Sequence, residues 1–529
     1  MATTSDSPPP PQLQATIHIG ASSISMLVVN ANDEAQPAHR SSRRTGDAGN
    51  NAIEFMEQSF PLARDVFRGG KVTRPTAERA VKILHGFLET LREFGIGPDG
   101  VERVVATNIL SEASNSEVFL NRLSIACGLH VEILDDGEMT RLIYLKTRRR
   151  LLDTPSMKKC TTLVVHVGPG NTRALLFKNG RIVRYTSYRL GTHRSGEAVV
   201  SMHTDGPALL RVIHEHISGQ IDQLVFDYQD EVIEDMIVMG YEIQLLKLFL
   251  TRSGTRTTLK NLRTLSREAA GHSSEERVRA YQLDFHTGEA ILPALEINLS
   301  IAEAFKLQHL RIPGSDYERG LLRDLPLSPS LTTGFQAEVI RSAKILARQY
   351  SADAKHFNHV AFLSKRLFEK TANLHQLTEH DSLLLEVSAI LHEIGGFVSP
   401  RSHHKHSQYL IQNSEIFGLG KLDVEVVAMV ARYHRQSGPK ISHSAYRNLT
   451  TRDRIRVSKL SAILRVADAL ERAHSQRVRD ISVKCLRSKI HLTLSGVTDA
   501  TVERLAMQSK GSLFHDVFGL EVVLDEQYS

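Results

Sequence analysis

One phrase that occurs twice constrains this chain more than any other. ATIHIGASSISMLVVN, from Ala15, and TTLVVHVGPGNTRALLFKNG, from Thr161, each read as an apolar strand, a turn of small residues and a second apolar strand. Apolar runs rich in Val and Ile, broken by Gly and Ser, specify strand hairpins. Each copy carries a histidine, His18 or His166, two residues before the first glycine of its turn. A chain that repeats such a unit is expected to build two related lobes.

The segments around the hairpins predict what each lobe adds. Thr76–Phe94 reads as a helix, Val101–Thr107 as a strand, Glu112–Cys127 as a helix, His130–Leu134 as a strand, and a further helix starts at Asp135–Glu138. That alternation is an α/β pattern. Residues 15–155 form the first expected lobe and 156–325 the second, behind a Pro- and Ser-rich lead over 1–14 that is expected to be disordered. Past LRDLPLSPSLTTG, a linker rich in Pro, Ser and Thr, the apolar spacing changes to a 3.6-residue period, which predicts a helical domain over 326–480. The closing residues, 481–529, read as a small α+β segment of strand, helix, helix and strand.

Composition excludes several classes. The 529 residues are 41% hydrophobic and 23% charged, the balance of a globular chain of two to four domains. No apolar run is long enough for a membrane span, and the first residues lack a secretory layout, so a cytoplasmic protein is expected. Cys127, Cys160 and Cys485 lie far apart and predict neither a disulfide framework nor a thiolate metal site. The net charge of +6, with basic clusters at Arg40, Arg43, Arg44 and at Arg148, Arg149, Arg150, suits a polyanionic partner. With no tryptophan and 6% aromatic residues, a stacking platform for nucleic acid is not expected.

Paired strand-turn-strand units facing a cleft are how actin-like and hexokinase-like domains hold phosphate chains, through backbone N–H groups in small-residue turns. Gly20, Ala21 and Ser22 in the first turn, and Gly168, Gly170 and Asn171 in the second, are the candidates, although Pro169 removes one donor. The order IHIGASSISMLVV, VVATNILSEASNSEVFL, VEILDDGEMTRLIY, VVHVGPGNTRALLF, SYRLGTHR resembles the successive motifs of the exopolyphosphatase/guanosine pentaphosphate phosphatase family over essentially the whole chain. The resemblance implies duplicated actin-like lobes of the hexokinase/Hsp70, ribonuclease H-like type, a helical extension, polyphosphate or a guanosine nucleotide as partner, and a homodimer.

The departures from that family bear on activity. His18 and His166 stand where the family has its metal- and phosphate-holding Asp residues, and Met139 stands at the place of the general-base Glu. The Glu after the second turn is matched by Arg173, the Arg after the AT motif by Ser111, and the nucleotide-edge turn by Gly240, Tyr241, Glu242, Ile243 and Gln244. A thioether takes no proton, and losing a general base alone costs roughly 10²–10⁴ in rate. The expectation is an inactive cleft that still binds an anion. A rebuilt site would have to draw on Glu138, Asp135 or Asp136.

The helical part holds the other chemistry. His356 lies in line with Val360, Leu363 and Leu367, so its imidazole faces the packed side of a helix. LLLEVSAILHEIGG ends on His392 and Glu393, HHKHSQYLI adds His403, His404 and His406, VARYHR adds His434, and Asp468 sits on an otherwise apolar helix face. Imidazoles and carboxylates converging from several helices are what a divalent metal needs, whether Mg, Mn, Fe or Zn. This order resembles the metal-dependent HD-type phosphohydrolases. Carried over, His356, His392, Glu393 and Asp468 become the core ligands, Glu393 and Asp468 the catalytic carboxylates, and His406 and His434 ligands to a second metal. Glu393 replaces the usual Asp and reaches about 1.5 Å further. Lys405 and Arg435, beside two of the histidines, are expected to hold phosphate oxygens. Gly396 takes the place of the second histidine of an HExxH motif, which excludes a zinc peptidase. Two functions stay open at this point: a metal-dependent phosphohydrolase on a phosphoanhydride or phosphate ester, and a catalytically inactive regulator that binds polyphosphate or a nucleotide.

Overall fold

A computed structural model describes residues 13–30, 52–97, 100–151, 159–200, 206–251, 254–313, 322 and 334–526. The Pro/Ser-rich lead up to residue 12, most of the linker and the Arg40, Arg43, Arg44 cluster lie outside these residues, as do the side chains of Arg148, Arg149 and Arg150. The chain divides into two compact units, the second made chiefly of Pro329–Ser529.

The first unit holds the duplication. β1 (Leu13–Ile19) turns through Gly20–Ser22 into β2 (Ser23–Asn30), and β3 (Ala52–Ser59), β4 (Val101–Ala106) and β5 (Val131–Ile133) complete a sheet in the order β3-β2-β1-β4-β5. In the second copy, β6 (Thr162–Val167), β7 (Thr172–Lys178), β8 (Arg181–Tyr188), β9 (Asp235–Met239), β10 (Arg256–Thr258) and β11 (His309–Arg311) are ordered β10-β11-β9-β6-β7-β8. β1 and β6 play the same part, each antiparallel to its hairpin partner and parallel to the next strand of its lobe. Register puts His18 opposite Ser25 and Val105, and His166 opposite Arg173 and Met239. The two histidines therefore occupy equivalent places in a repeated frame, which is the actin-like architecture.

Local sequence explains the helices that cover these sheets. Arg74–Glu93 starts behind Thr73, whose hydroxyl accepts from the Thr76 N–H, with a proline in the first turn where no N–H is required. It buries Leu84, Phe87 and Leu91 against Ile17, Met26 and Val28. Phe285–Ala304, capped by Asp284, is buried on nearly every side and contains Pro293. Among the described residues no helix is long and apolar enough to cross a membrane.

Three elements depart from the sequence expectation. β3 and the helix Leu62–Gly69 were not anticipated, since AIEFMEQS pairs as an edge strand on β2 and carries polar residues along its exposed side. β1 begins at Leu13 rather than Ala15, because it pairs with β2 as far as Leu13↔Asn30.

The second unit packs the helices Phe335–Gln349, Ala354–Lys370, Glu379–Leu391, His403–Gln412, Lys421–Arg432 and Thr451–Leu470. β12 (Asp480–Cys485), β13 (Lys489–Ser495) and β14 (Glu521–Glu526) form its small sheet, with Thr501–Lys510 and Ser512–Phe518 as the helices between β13 and β14. The extra strand β12 is mostly exposed and gave only a weak apolar signal.

Candidate functional site

The two duplicated turns keep their backbone design. Gly20 N–H donates to Ser23 O at 2.8 Å, and Gly168 N–H donates to Asn171 O at 2.9 Å. In each, the histidine two residues earlier folds its ring over the glycine, so that a Cβ on Gly20 or Gly168 would lie 3.3 Å from the imidazole Cε1 of His18 or His166. The carbonyls of Ala21 and Ser22 accept from the N–H groups of Ala63 and Phe60. The His18 and His166 rings thus lie over equivalent glycines of the two turns.

The second turn is packed by segments of both lobes. Pro169 O accepts from the N–H groups of His193 and Arg194, and Arg194 Nε donates to Gly170 O at 2.9 Å. The Arg194 guanidinium covers the Phe67 ring and pairs with Glu112 at 2.5 Å. A Cβ on Gly191 would meet Pro169 O at 2.4 Å, so only glycine lets this segment approach the turn. Gly240, at φ 144, lies against Val167 O and begins a short helix whose buried Glu242 accepts from Thr192 Oγ1 at 2.9 Å.

Of the candidates for a rebuilt base, Glu138 is tied to a neighbouring cation. Met139 is buried, and Glu138 is held by a bidentate pair with buried Arg141, at 2.7 Å to each carboxylate oxygen. Sequence reasoning passed over Glu57 on β3, whose carboxylate accepts from Ser23 Oγ at 2.7 Å and from the Tyr241 hydroxyl at 3.1 Å beside the first turn.

In the helical unit, His356, His392 and Asp468 are all buried, and one ligand atom from each lies within 4.8 Å of the others. Glu393, His403 and His434 form a second such group, and His356, Glu393 and His474 a third. The groups share His356 and Glu393, so they make one continuous cluster. His356 reaches it from the first turn of the helix Ala354–Lys370, which is started by Asp353 accepting from the N–H groups of Lys355 and His356. Val360, Leu363 and Leu367 are buried on the same face.

His392 and His434 are oriented by one local device. Each stands just past a helix and donates Nδ1–H to the carbonyl three residues back, His392 to Ala389 O at 2.7 Å and His434 to Ala431 O at 2.6 Å. That bond fixes the tautomer and aims the Nε2 lone pair inward, as metal-ligating histidines require. The Nε2 of His392 and both ring nitrogens of His356 are buried without a hydrogen-bond partner. A buried polar atom left unpaired costs about 1–3 kcal/mol, and several in one place point to an absent binding partner.

His403 meets His434 with Nε2 to Nε2 at 3.1 Å and stacked rings. Its Nδ1 lies 3.3 Å from both Pro400 O and Arg435 Nη1, an acceptor and a donor, so either tautomer finds a partner. Gly395 makes this meeting possible. A Cβ there would lie 2.1 Å from His403 O, while Gly395 N–H donates to Ser407 Oγ and that hydroxyl donates to His392 O.

Burial pushes the His356 imidazole down to about 4, with His392 adding to the effect against the carboxylates of Glu393 and Asp468. It pushes His434 well below its ordinary value as well. Burial opposes ionisation of Asp468, but the Lys510 ammonium hydrogen-bonded to it outweighs that and holds the carboxyl far below the usual range. Neutral imidazoles beside an ionised carboxylate are the protonation states a cation needs.

Two expectations need correction. His406 belongs to none of the three groups, and His403, one turn earlier on the same helix, supplies the imidazole instead. Residues three apart share a helix face, so their spacing could not choose between them. Lys405 is exposed, whereas Arg435 stands at the edge of the cluster against His403. His474 and Lys510 were missed. His474 has φ 51 in the loop after Leu470, with its ring stacked on His356 at 3.6 Å, and the Lys510 ammonium hydrogen-bonds Asp468 Oδ2.

Comparison with known proteins places both units. Residues 53–328 match the Ppx/GppA phosphatase family, and residues 340–509 match Ppx/GppA phosphatase, domain III. The chain is 21% identical over 507 residues to a guanosine-5'-triphosphate,3'-diphosphate pyrophosphatase of Vibrio atlanticus, covering 93% of this chain and 95% of the relative. It is 22% identical over 430 residues to the protein of that name from Vibrio parahaemolyticus, covering 80% and 81%. Among solved structures it is similar to a Ppx/GppA family member of Aquifex aeolicus, with TM-score 0.43 and 20% identity over 59% of this chain and 95% of that one. An exopolyphosphatase from Cytophaga hutchinsonii gives TM-score 0.47 and 14% identity over 59% and 97%. With the family match spanning more than half of its length, the chain belongs to the Ppx/GppA phosphatase family.

Proposed function

We propose that the chain is a metal-dependent phosphohydrolase whose working site is the histidine cluster of its helical unit, an HD-type centre, while its actin-like turns serve to bind an anion. The observation that carries this reading is the set of unpartnered inward nitrogens on His356 and His392 beside ionised Asp468. The residues fit a divalent metal: His356, His392 and Asp468 would hold one ion, and Glu393, His403 and His434 a second. A bound divalent ion would supply a Lewis acid and an acidified water for attack on phosphorus. Imidazole-rich sets with few carboxylates suit Fe or Zn better than Mg. Around such an ion, the chain's own residues fix ring tautomers through Ala389 O and Ala431 O and exclude water by burial, with Arg435 at the rim for phosphate oxygens.

The curated relatives are named for a guanosine pentaphosphate, so a phosphoanhydride of that kind, or polyphosphate, is the substrate class to test first, in a cytoplasmic setting. Metal analysis of the purified chain, followed by hydrolysis of each substrate by wild type and His392→Ala, tests the reading. Loss of both metal and hydrolysis in the variant is expected, and unchanged metal content with unchanged turnover would sink it. A second reading, a polyphosphate- or nucleotide-binding regulator, is favoured by the turns themselves, which keep their backbone geometry without their carboxylates. Substrate binding without hydrolysis in the metal-loaded chain is the outcome that would select it.

A further inference from the structure

Lys510 brings a fixed positive charge into the cluster from the last residue of the helix Thr501–Lys510, far along the chain from the histidines. Its ammonium hydrogen-bonds Oδ2 of Asp468, and the side chains are only 13% and 6% exposed. The placement does not depend on that ion pair. Arg465, one turn before Asp468 on the same helix, is buried and donates Nε to Lys510 O at 3.1 Å, Nη2 to Ser509 O at 3.2 Å and Nη1 to Gln436 O at 2.9 Å. Backbone carbonyls therefore hold the 510 end of its helix and the segment after His434 to the Asp468 helix, whatever side chain residue 510 carries.

Charge counting gives this lysine a consequence. Asp468 and Glu393 supply two negative charges, and Lys510 inside the cluster and Arg435 at its rim return positive ones. A divalent cation at the His356, His392 and Asp468 group, whose one carboxylate Lys510 already balances, then leaves an excess of positive charge, and unbalanced charge is costly away from water. An anion bound with the cation removes the excess. Without Lys510 that excess is smaller by one charge.

We propose that Lys510 makes the cluster select a divalent cation together with a phosphate-type anion, rather than the cation alone. The inference rests on the metal-site reading given above. Lys510 acts as a counter-cation that weakens binding of the bare metal and as an anchor for the oxyanion that follows it.

The test is a Mn²⁺ binding isotherm on the full-length chain, followed by electron paramagnetic resonance, with and without inorganic phosphate. In the wild type, phosphate is expected to tighten Mn²⁺ binding. In Lys510→Met, Mn²⁺ alone should bind on the order of tenfold tighter, because a like charge a few ångströms away is gone, and the phosphate effect should vanish. Lys510→Arg, which keeps the charge, should retain the phosphate effect. Weaker Mn²⁺ binding by the folded Met variant would make Lys510 a mere support for Asp468 and overturn the proposal, as would a phosphate effect that survives. His392→Ala separates the two levels. If wild type binds Mn²⁺ and His392→Ala binds it equally well, the cluster reading itself fails, whereas loss in His392→Ala with no gain in Lys510→Met fails only the proposal for Lys510. Should Lys510→Met not fold by circular dichroism, Lys510→Gln is measured in its place.

Discussion

The duplicated turns and the histidine cluster hold polar groups by opposite means. At the turns the backbone is committed: Gly20 and Gly168 N–H groups close on Ser23 and Asn171, and carbonyls are taken by neighbouring segments, while carboxylates are missing at 18 and 166. In the helical unit it is side chains that gather, and inward nitrogens of His356 and His392 have no hydrogen-bond partner. The difference teaches that sheet register and glycine turns are maintained by folding itself and need no ligand to persist. Reactive side chains buried without partners cost stability and need another reason to be there.

The largest effect that would break this comparison comes from ligand deletion. His434→Ala or His392→Ala should lower metal affinity by at least about 100-fold, the range seen when oriented ligands or their supports are lost, whereas His18→Ala should leave metal content unchanged. Metal analysis by mass spectrometry checks both, and a metal-free His18→Ala protein would move the site to the turns. Next is restoration. Combining His18→Asp, Met139→Glu and His166→Asp should leave polyphosphate hydrolysis within about tenfold of the parent, because Arg173, Ser111 and the 240–244 turn still depart from the family and a lone base is worth roughly 10²–10⁴ only in an otherwise complete site. A phosphate-release assay showing a gain of a thousandfold would mean that the cleft is intact.

A paired glycine test sharpens the comparison further. Gly191→Ala and Gly395→Ala each push a Cβ to within 2.4 Å and 2.1 Å of a backbone oxygen. Each should cost about 1–3 kcal/mol in denaturant unfolding. Only Gly395→Ala should also weaken metal binding, since it displaces His403 from the cluster.

The smallest effect uses a buried histidine that has no open nitrogen. His375 accepts from the Leu377 N–H at Nδ1 and faces Phe368 O through Nε2. Burial lowers its pKa, so the unfolded chain takes up its proton near the ordinary value of about 6.5 while the folded chain does not. The contribution to stability is present above about pH 6.5 and declines as pH falls below it. Denaturation midpoints compared between pH 7 and 5, in wild type and His375→Gln, should show a shallower loss in the variant.

What could be read from the sequence follows from where the signal was local. The hairpins at Ala15 and Thr161, the helix carrying His356 and the apolar face carrying Asp468 declare themselves by periodicity and turn residues. β3 escaped notice because an edge strand with Glu54, Glu57 and Gln58 shows little apolar alternation. His403 and His406 lie on one helical stretch, and what separates them is the meeting of the His403 ring with His434. His474 depends on a left-handed backbone in a loop, and Lys510 on a helix that the C-terminal sheet brings back. Neither leaves a pattern in the residues beside it.

The bonds from His392 to Ala389 O and from His434 to Ala431 O are made within one helical turn each. The choice of which nitrogen carries the proton is therefore settled as soon as those helix ends form, before the distant segments meet. The orientation of these two rings is thus a property of short stretches of chain, independent of the distant segments that bring Asp468 and Lys510 beside them.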